Sequence, residues 1–193
     1  EQAIEQAGGL SWVRPGMRIG VKLNLCAGLR PEKAATTHPV TAAELTRLLI
    51  ERGASVVLGD SPGEPFTAIV LNRIYSVTGM KLCEEAGGEL NRDFSHRTEE
   101  YPEAVTVKSF ELCSWLDGCD AVISFCKLKS HGLMGMTAAV KNIFGVIPGT
   151  VKSEYHFRYS DPMVFAEMLV DLNEYVRPRL YLCDAVEIME GNG

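Results

Sequence analysis

Arg18-Ile-Gly-Val-Lys-Leu-Asn-Leu25 and Ala54-Ser-Val-Val-Leu-Gly59, with Pro39 to Gly53 between them, decide the fold. The first stretch follows the turn signal Arg14-Pro-Gly16 and alternates, with enough β-branching for a strand. Pro39 suits the first turn of a helix capped by His38 or Thr37, and Leu45, Leu48 and Leu49 form its apolar stripe before a stop at Gly53. The second stretch is a short continuous apolar run, as in a buried parallel strand. Strand, helix, strand is the βαβ unit.

The pattern continues along the chain. Pro65 to Ala86 is helical in composition, with a break expected near Thr78-Gly79. Gly88 to Asp93, Ala104 to Phe110, Ala121 to Cys126 and Leu180 to Cys183 read as strands. Asp161-Pro162 opens an amphipathic helix carrying Phe165, Met168, Leu169, Leu172 and Val176, which ends before Pro178. The expectation is an α/β fold with a mostly parallel sheet and flanking helices, a single domain over residues 1–193. The chain opens without an initiator Met in an expected helix, Glu1 to Ala7, and closes in Val186-Glu-Ile-Met-Glu-Gly-Asn-Gly193 without a cap. Truncation at both ends of a longer protein is therefore expected.

At 193 residues and 46% hydrophobic, the chain can bury one substantial core. A net charge of −6 and the absence of a long basic run with interleaved aromatics argue against a nucleic-acid partner. No apolar stretch nears the roughly 20 residues needed to span a bilayer, so no membrane partner is expected. The six cysteines form no Cys-x-x-Cys pair and read as reduced core residues of a cytoplasmic protein.

In parallel sheets ligands bind outside the carboxyl ends of the strands. There the sequence places Asn24, Asp60-Ser-Pro-Gly63, Lys127 to His131, and Asp184. The densest tract is Lys127-Leu-Lys-Ser-His-Gly-Leu-Met-Gly-Met-Thr-Ala-Ala-Val-Lys-Asn-Ile-Phe-Gly145, running on to Lys152 and His156. Imidazoles near neutrality carry protons or ligate metals, and lysines act as acids, nucleophiles or anchors. Like charges at Lys127, Lys129 and Lys141 repel unless an anion lies between them or one lysine is neutral, so a small anionic metabolite is the expected partner. Asn24, Thr37, His38, Lys127 and Lys129 are candidate substrate contacts, His131 and Lys141 candidate catalytic residues, and His156 with Asp60 a candidate site for a divalent metal. No Walker A loop or dinucleotide fingerprint is present. His96, in the charged stretch Asp93 to Glu100, reads as solvated surface.

Val21-Lys-Leu-Asn-Leu25, Thr36-Thr-His-Pro39, Gly59-Asp-Ser-Pro-Gly63, Lys127-Leu-Lys-Ser-His-Gly132, Val140-Lys-Asn-Ile-Phe-Gly145 and Met189-Glu-Gly-Asn-Gly193, in that order, resemble the family catalogued as domain of unknown function 362. Many members of that family carry a ferredoxin-like module, so the resemblance implies a redox or electron-transfer role as an alternative to an enzyme. This sequence has no Cys-x-x-Cys-x-x-Cys, and a 4Fe-4S cluster or ferredoxin-like partner module would come from outside it. A non-catalytic anion-binding module is a third reading. The order His131, Gly135, Lys141, Pro148-Gly149, His156 is also similar to the nickel-pincer lactate racemase family. That likeness implies an acid/base His131, a cofactor anchor at Lys141, a metal-ligating His156, and racemisation or other redox-neutral chemistry at a hydroxy-acid carbon. Where the racemases have a glycine pair before the lysine, this chain has Ala138-Ala139.

Overall fold

The structure, a computed structural model, describes residues 1–191. Asn192 and Gly193, the end of the closing motif and of the expected terminal glycine loop, lie outside the described residues. The first half contains α1 (Gln2–Gln6), β1 (Arg18–Lys22), α2 (Pro39–Ile50), β2 (Ser55–Gly59), α3 (Ala68–Thr78), α4 (Lys81–Glu85) and β3 (Glu89–Leu90). The second contains β4 (His96–Glu100), β5 (Ser109–Cys113), β6 (Ala121–His131), β7 (Gly135–Thr137), α5 (Ala139–Asn142), α6 (Val151–Arg158), α7 (Pro162–Val176) and β8 (Leu180–Met189).

The strands β3, β2, β1, β6 and β8 pair in that spatial order, all parallel, and β7 folds back antiparallel on the end of β6. From β1 the chain builds outward through β2 to β3, then returns to lay β6 on the opposite flank of β1. Between β1 and β6 the order reverses, and a crevice opens at such a switch point.

Strand alternation divides the sheet between two cores. Ile19, Val21 and Leu23 of the first strand segment, with Ile123 and Phe125 of β6, pack with Leu45 and Leu49 of α2 and Leu71 and Ile74 of α3. A second core gathers Phe165, Met168, Leu169 and Leu172 of α7 with Ile143, Phe144 and Val146, which follow α5. The remaining face of β1 offers Gly20 and Lys22, so the second core meets the sheet across polar and small residues.

Caps follow the sequence. His38 is the N-cap of α2 and its Nδ1 accepts from Val40 N–H at 3.3 Å. Asp161 caps α7, accepting from the N–H groups of Met163 and Val164. Gly79, at φ +74°, ends α3 in the left-handed region, where the break was expected.

Several boundaries differ. The strand expected over Gly88 to Asp93 is only Glu89–Leu90. The one expected over Ala104 to Phe110 lies later, at β5, because Asp171 of α7 takes the N–H groups a ladder would use. Its carboxylate accepts from Val105, Thr106 and Val107 at 2.8, 2.7 and 2.9 Å. His96 is exposed as expected, yet it begins β4, which pairs antiparallel with β5 off the main sheet. Lys127 to His131, placed beyond the end of the strand expected over Ala121 to Cys126, continues β6 itself. Of the cysteines, Cys83, Cys113 and Cys126 are buried, Cys119 is half-buried, and Cys26 and Cys183 are exposed rather than in the core.

Replacing Asp171 with Ala orphans three backbone donors. Urea denaturation should show a loss of roughly 2–3 kcal/mol, with faster amide exchange at residues 105–107. An unchanged midpoint would contradict the bracing role of this carboxylate.

Candidate functional site

β1 ends in the crevice. Alternation that sends Val21 and Leu23 into the first core turns Lys22 to the opposite face, where it is fully buried. Its Nζ lies 2.6 Å from Asp60 Oδ1, just past β2, and also donates to Leu23 O at 2.6 Å. The other Asp60 oxygen accepts from Leu25 N–H at 2.7 Å. An ion pair removed from water holds only with such additional partners.

The Gly-punctuated tract closes over this pair. Asn142 donates to Lys22 O at 3.1 Å and Ser124 Oγ at 3.0 Å, and its Oδ1 accepts from Asn24 Nδ2 at 3.3 Å. Gly145 O accepts from Ser61 N–H at 2.9 Å. A Cβ at Gly145 would overlap Asp60 Oδ1 and Lys22 Nζ, so only glycine lets the backbone come this close. Gly149 N–H donates to Ser61 Oγ at 2.6 Å, and a Cβ there would stand 2.6 Å from Glu64 O. Two of the tract's glycines thus serve close approach.

A cavity of about 210 Å³ remains at the strand ends, bordered by Lys22, Lys129, Lys141, Lys152, His131 and His156 against one carboxylate, Asp60. Lys129 donates to Ala35 O at 2.9 Å. Lys152 donates to Pro62 O at 3.3 Å and to Ile147 O. Among the described residues Lys141 Nζ has no hydrogen-bond acceptor or ion-pair partner; it sits 4.4 Å from the Phe144 ring centroid and 5.6 Å from that of Phe165. His156 stacks on the same Phe165, with centroids 4.6 Å apart.

Burial and mutual repulsion shape the proton affinities. Burial, reinforced by Lys22 and Lys129, brings the Lys141 ammonium down to about 8. Burial, with help from Lys22 and Lys141 and against the pull of Asp60, brings Lys152 to about 7. His131 falls to about 4, first through burial and then through Lys141, His156 and Lys129. His156 is lowered by burial, Lys141 and Lys152. His131 Nδ1 accepts from Leu133 and Met134 N–H groups at 3.2 and 3.1 Å, so the neutral ring carries its proton on Nε2.

Of the residues singled out in the sequence, Asn24, Asp60, Lys129, His131, Lys141 and His156 share this cavity. Three stand elsewhere. Thr37 is buried, donating to Phe125 O and accepting from Asn24 N–H, both at 2.9 Å; it braces β1 and β6 where they part. Lys127 Nζ pairs with Asp184 Oδ2 at 3.0 Å, and His38 N–H donates to the same oxygen at 2.8 Å. These two line a separate hollow beside α2. The β6–β8 register is irregular between Lys127 and Lys129, which separates a lysine turned to Asp184 from one turned to the cavity.

Sequence reasoning missed Lys22, Asn142 and Lys152 as cavity residues. A lysine inside an apolar strand was the available signal for Lys22. For the metal expectation, no group of three or more His, Cys, Asp or Glu among the described residues is placed to hold an ion. Asp60 also commits both oxygens, to Lys22 and to Leu25. His156 and Asp60 therefore do not fit a protein-held metal centre.

A family model described as domain of unknown function (DUF362) matches residues 19–193. A thylakoid-associated protein of Synechocystis sp. is 32% identical over 200 aligned residues, covering 98% of this chain and 58% of that protein. The chain thus spans little more than half the length of this curated relative. Among solved structures, the lactate racemase apoprotein of Thermoanaerobacterium thermosaccharolyticum superposes with a TM-score of 0.59 at 12% identity, over 94% of this chain and 47% of that one. A protein of Thermotoga maritima gives 0.53 at 15% identity, over 94% and 48%. At these identities the likeness is one of fold. No helix among the described residues is long and apolar enough to cross a membrane.

Asp60→Ala leaves Lys22 buried and unpaired and should lower stability by roughly 3–5 kcal/mol in chemical denaturation. The double replacement Lys22→Met with Asp60→Leu should recover most of that loss. Equal losses in both variants would show that the pair is not the source of the effect.

Proposed function

The chain belongs to the DUF362 family, and we propose that it binds a small carboxylate- or phosphate-bearing metabolite in the cavity between β1 and β6, as part of an enzyme. One observation carries the reading: among the described residues, four lysines and two imidazoles face a single carboxylate that is already committed to Lys22. Burial first, and mutual repulsion second, lowers the proton affinities of Lys141 and Lys152, and an anion between them relieves the repulsion. The cavity, about 210 Å³, falls below the roughly 300–1,000 Å³ of drug-sized pockets, which favours a small metabolite.

Asn24 narrows the ligand further. Its Oδ1 is buried without a donor, and the residue is only 8% exposed. A buried acceptor calls for a donor, and a hydroxyl beside a carboxylate supplies one. A small hydroxy acid meets both demands, with Lys129 and Lys141 at its charge and Asn24 at its hydroxyl. Lys141, whose proton affinity lies close to the working pH, can exchange a proton with such a ligand. His131 presents a neutral Nε2–H suited to hold a substrate oxygen, a role a neutral imidazole of lowered pKa can fill. Racemisation, or another redox-neutral step at the hydroxyl-bearing carbon, is the chemistry this arrangement serves.

Calorimetric titration with lactate and with oxalate tests the reading. The anion needs charged lysines, so affinity should fall as pH rises through the values near 7 and 8. Each lysine whose pKa the ligand raises by about one unit contributes about tenfold. Binding between those values should take up protons. The ligand-free protein responds oppositely: its depressed lysines bind fewer protons than the unfolded chain, so their contribution to stability increases with pH across the same range and up to about 10.4. Binding that is indifferent to pH, or no binding of either acid at any pH, would contradict the reading.

A further inference from the structure

We propose that Lys141 is an amine nucleophile that condenses with the carbonyl carbon of a small 2-oxo acid to give a Schiff base, its carboxylate held by Lys129 and its carbonyl oxygen by His131. The inference rests on the anion-binding reading above and names a covalent step at the same cavity.

The lysines lining the cavity differ in what their amines already do. Lys22 is bound to Asp60 and Leu23 O, Lys129 to Ala35 O, and Lys152 to Pro62 O and Ile147 O. Only Lys141, among the described residues, reaches the cavity with its Nζ uncommitted, and its flank is aromatic, 4.4 Å from the centre of the Phe144 ring. Burial away from water and neighbouring cations are the two devices that free a lysine's lone pair, here against the cation–π attraction of the Phe144 ring. Both are present, and the resulting value of about 8 leaves a usable fraction of neutral amine near neutral pH.

The electrophile is set by its neighbours. A carboxylate would be drawn to the remaining cations, and the carbonyl oxygen that gathers charge on attack needs a fixed donor. His131 is held for that task, since the N–H groups of Leu133 and Met134 occupy Nδ1 and leave the proton on Nε2. The Lys141 lone pair forms a C–N bond to the carbonyl carbon as the π pair moves to oxygen. The two amine protons pass to that oxygen, which leaves as water, and C=N replaces C=O. No oxidant or reductant takes part.

Reductive trapping tests this directly. The whole chain is incubated with pyruvate and cyanoborohydride, which delivers hydride to the imine, and intact mass and peptide mapping are read. The expected result is one adduct, the mass of pyruvic acid less water plus two hydrogens, located at Lys141. It should be blocked by excess oxalate and absent in Lys141→Arg. His131→Gln, which retains an N–H donor, should label faster than His131→Ala. Circular dichroism shows whether each variant folds, and the mapped position in the unaltered protein holds even if one does not. Adducts scattered over surface lysines, or an adduct that persists in folded Lys141→Arg, overturn the proposal. Thermal stabilisation by pyruvate without an adduct overturns the covalent step and leaves the anion site standing. Neither stabilisation nor adduct removes both.

Discussion

The Lys22–Asp60 pair is the contact on which the rest of the site depends. It joins the ends of β1 and β2 at 2.6 Å, out of water, beside the point where β1 and β6 part. Charges so buried persist only with additional hydrogen-bond partners, and here Leu23, Leu25 and Asn142 supply them. The demand propagates outward. Gly145 is glycine because this pair occupies the volume of a Cβ, and Asn142 crosses to Lys22 O and Ser124 Oγ at the last paired position of β1 and β6. Fixing these two residues fixes Lys141 between them and the second core.

The cavity inherits its electrostatics from that arrangement. Among the described residues Asp60 is the one carboxylate at its wall, and it is paired with Lys22, so the other cations face one another through a medium of low polarity. Burial first, and this repulsion second, lowers their proton affinities, and each proton lost relieves the repulsion: Lys152 falls to about 7, Lys141 to about 8 and His131 to about 4. The same relief is available from an anion. On the proposed anion-binding reading, stability without ligand and affinity for ligand pull in opposite directions with pH, and both follow from the burial of lysines on the polar face of a parallel sheet.

Much of this was legible in the sequence. The alternation of Arg18 to Leu25 and the apolar run Ala54 to Gly59 identify parallel strands, and their carboxyl ends locate Asn24 and Asp60 in the cavity. Order along the chain brought His131, Lys141 and His156 together because one tract holds them. Lys22 was hidden because alternation tells which face a residue takes, not whether a later segment covers that face. Lys127 and Lys129 look equivalent in sequence; a register irregularity and the carboxylate of Asp184, 57 positions away, separate them. The β4–β5 hairpin escaped notice for a related reason. The charges of β4 resemble solvated surface, and the Asp171 bond that displaces the neighbouring strand spans more than 60 positions.

The central claim is that an anion belongs among these cations and not in the hollow beside α2. A crystal structure of the protein soaked in oxalate tests it most directly. The account predicts density within hydrogen-bonding distance of Lys129 Nζ, Lys141 Nζ and His131 Nε2, with Lys22 still on Asp60. Oxalate bound instead beside His38 and Lys127, or an anion that draws Lys22 away from Asp60, would contradict it.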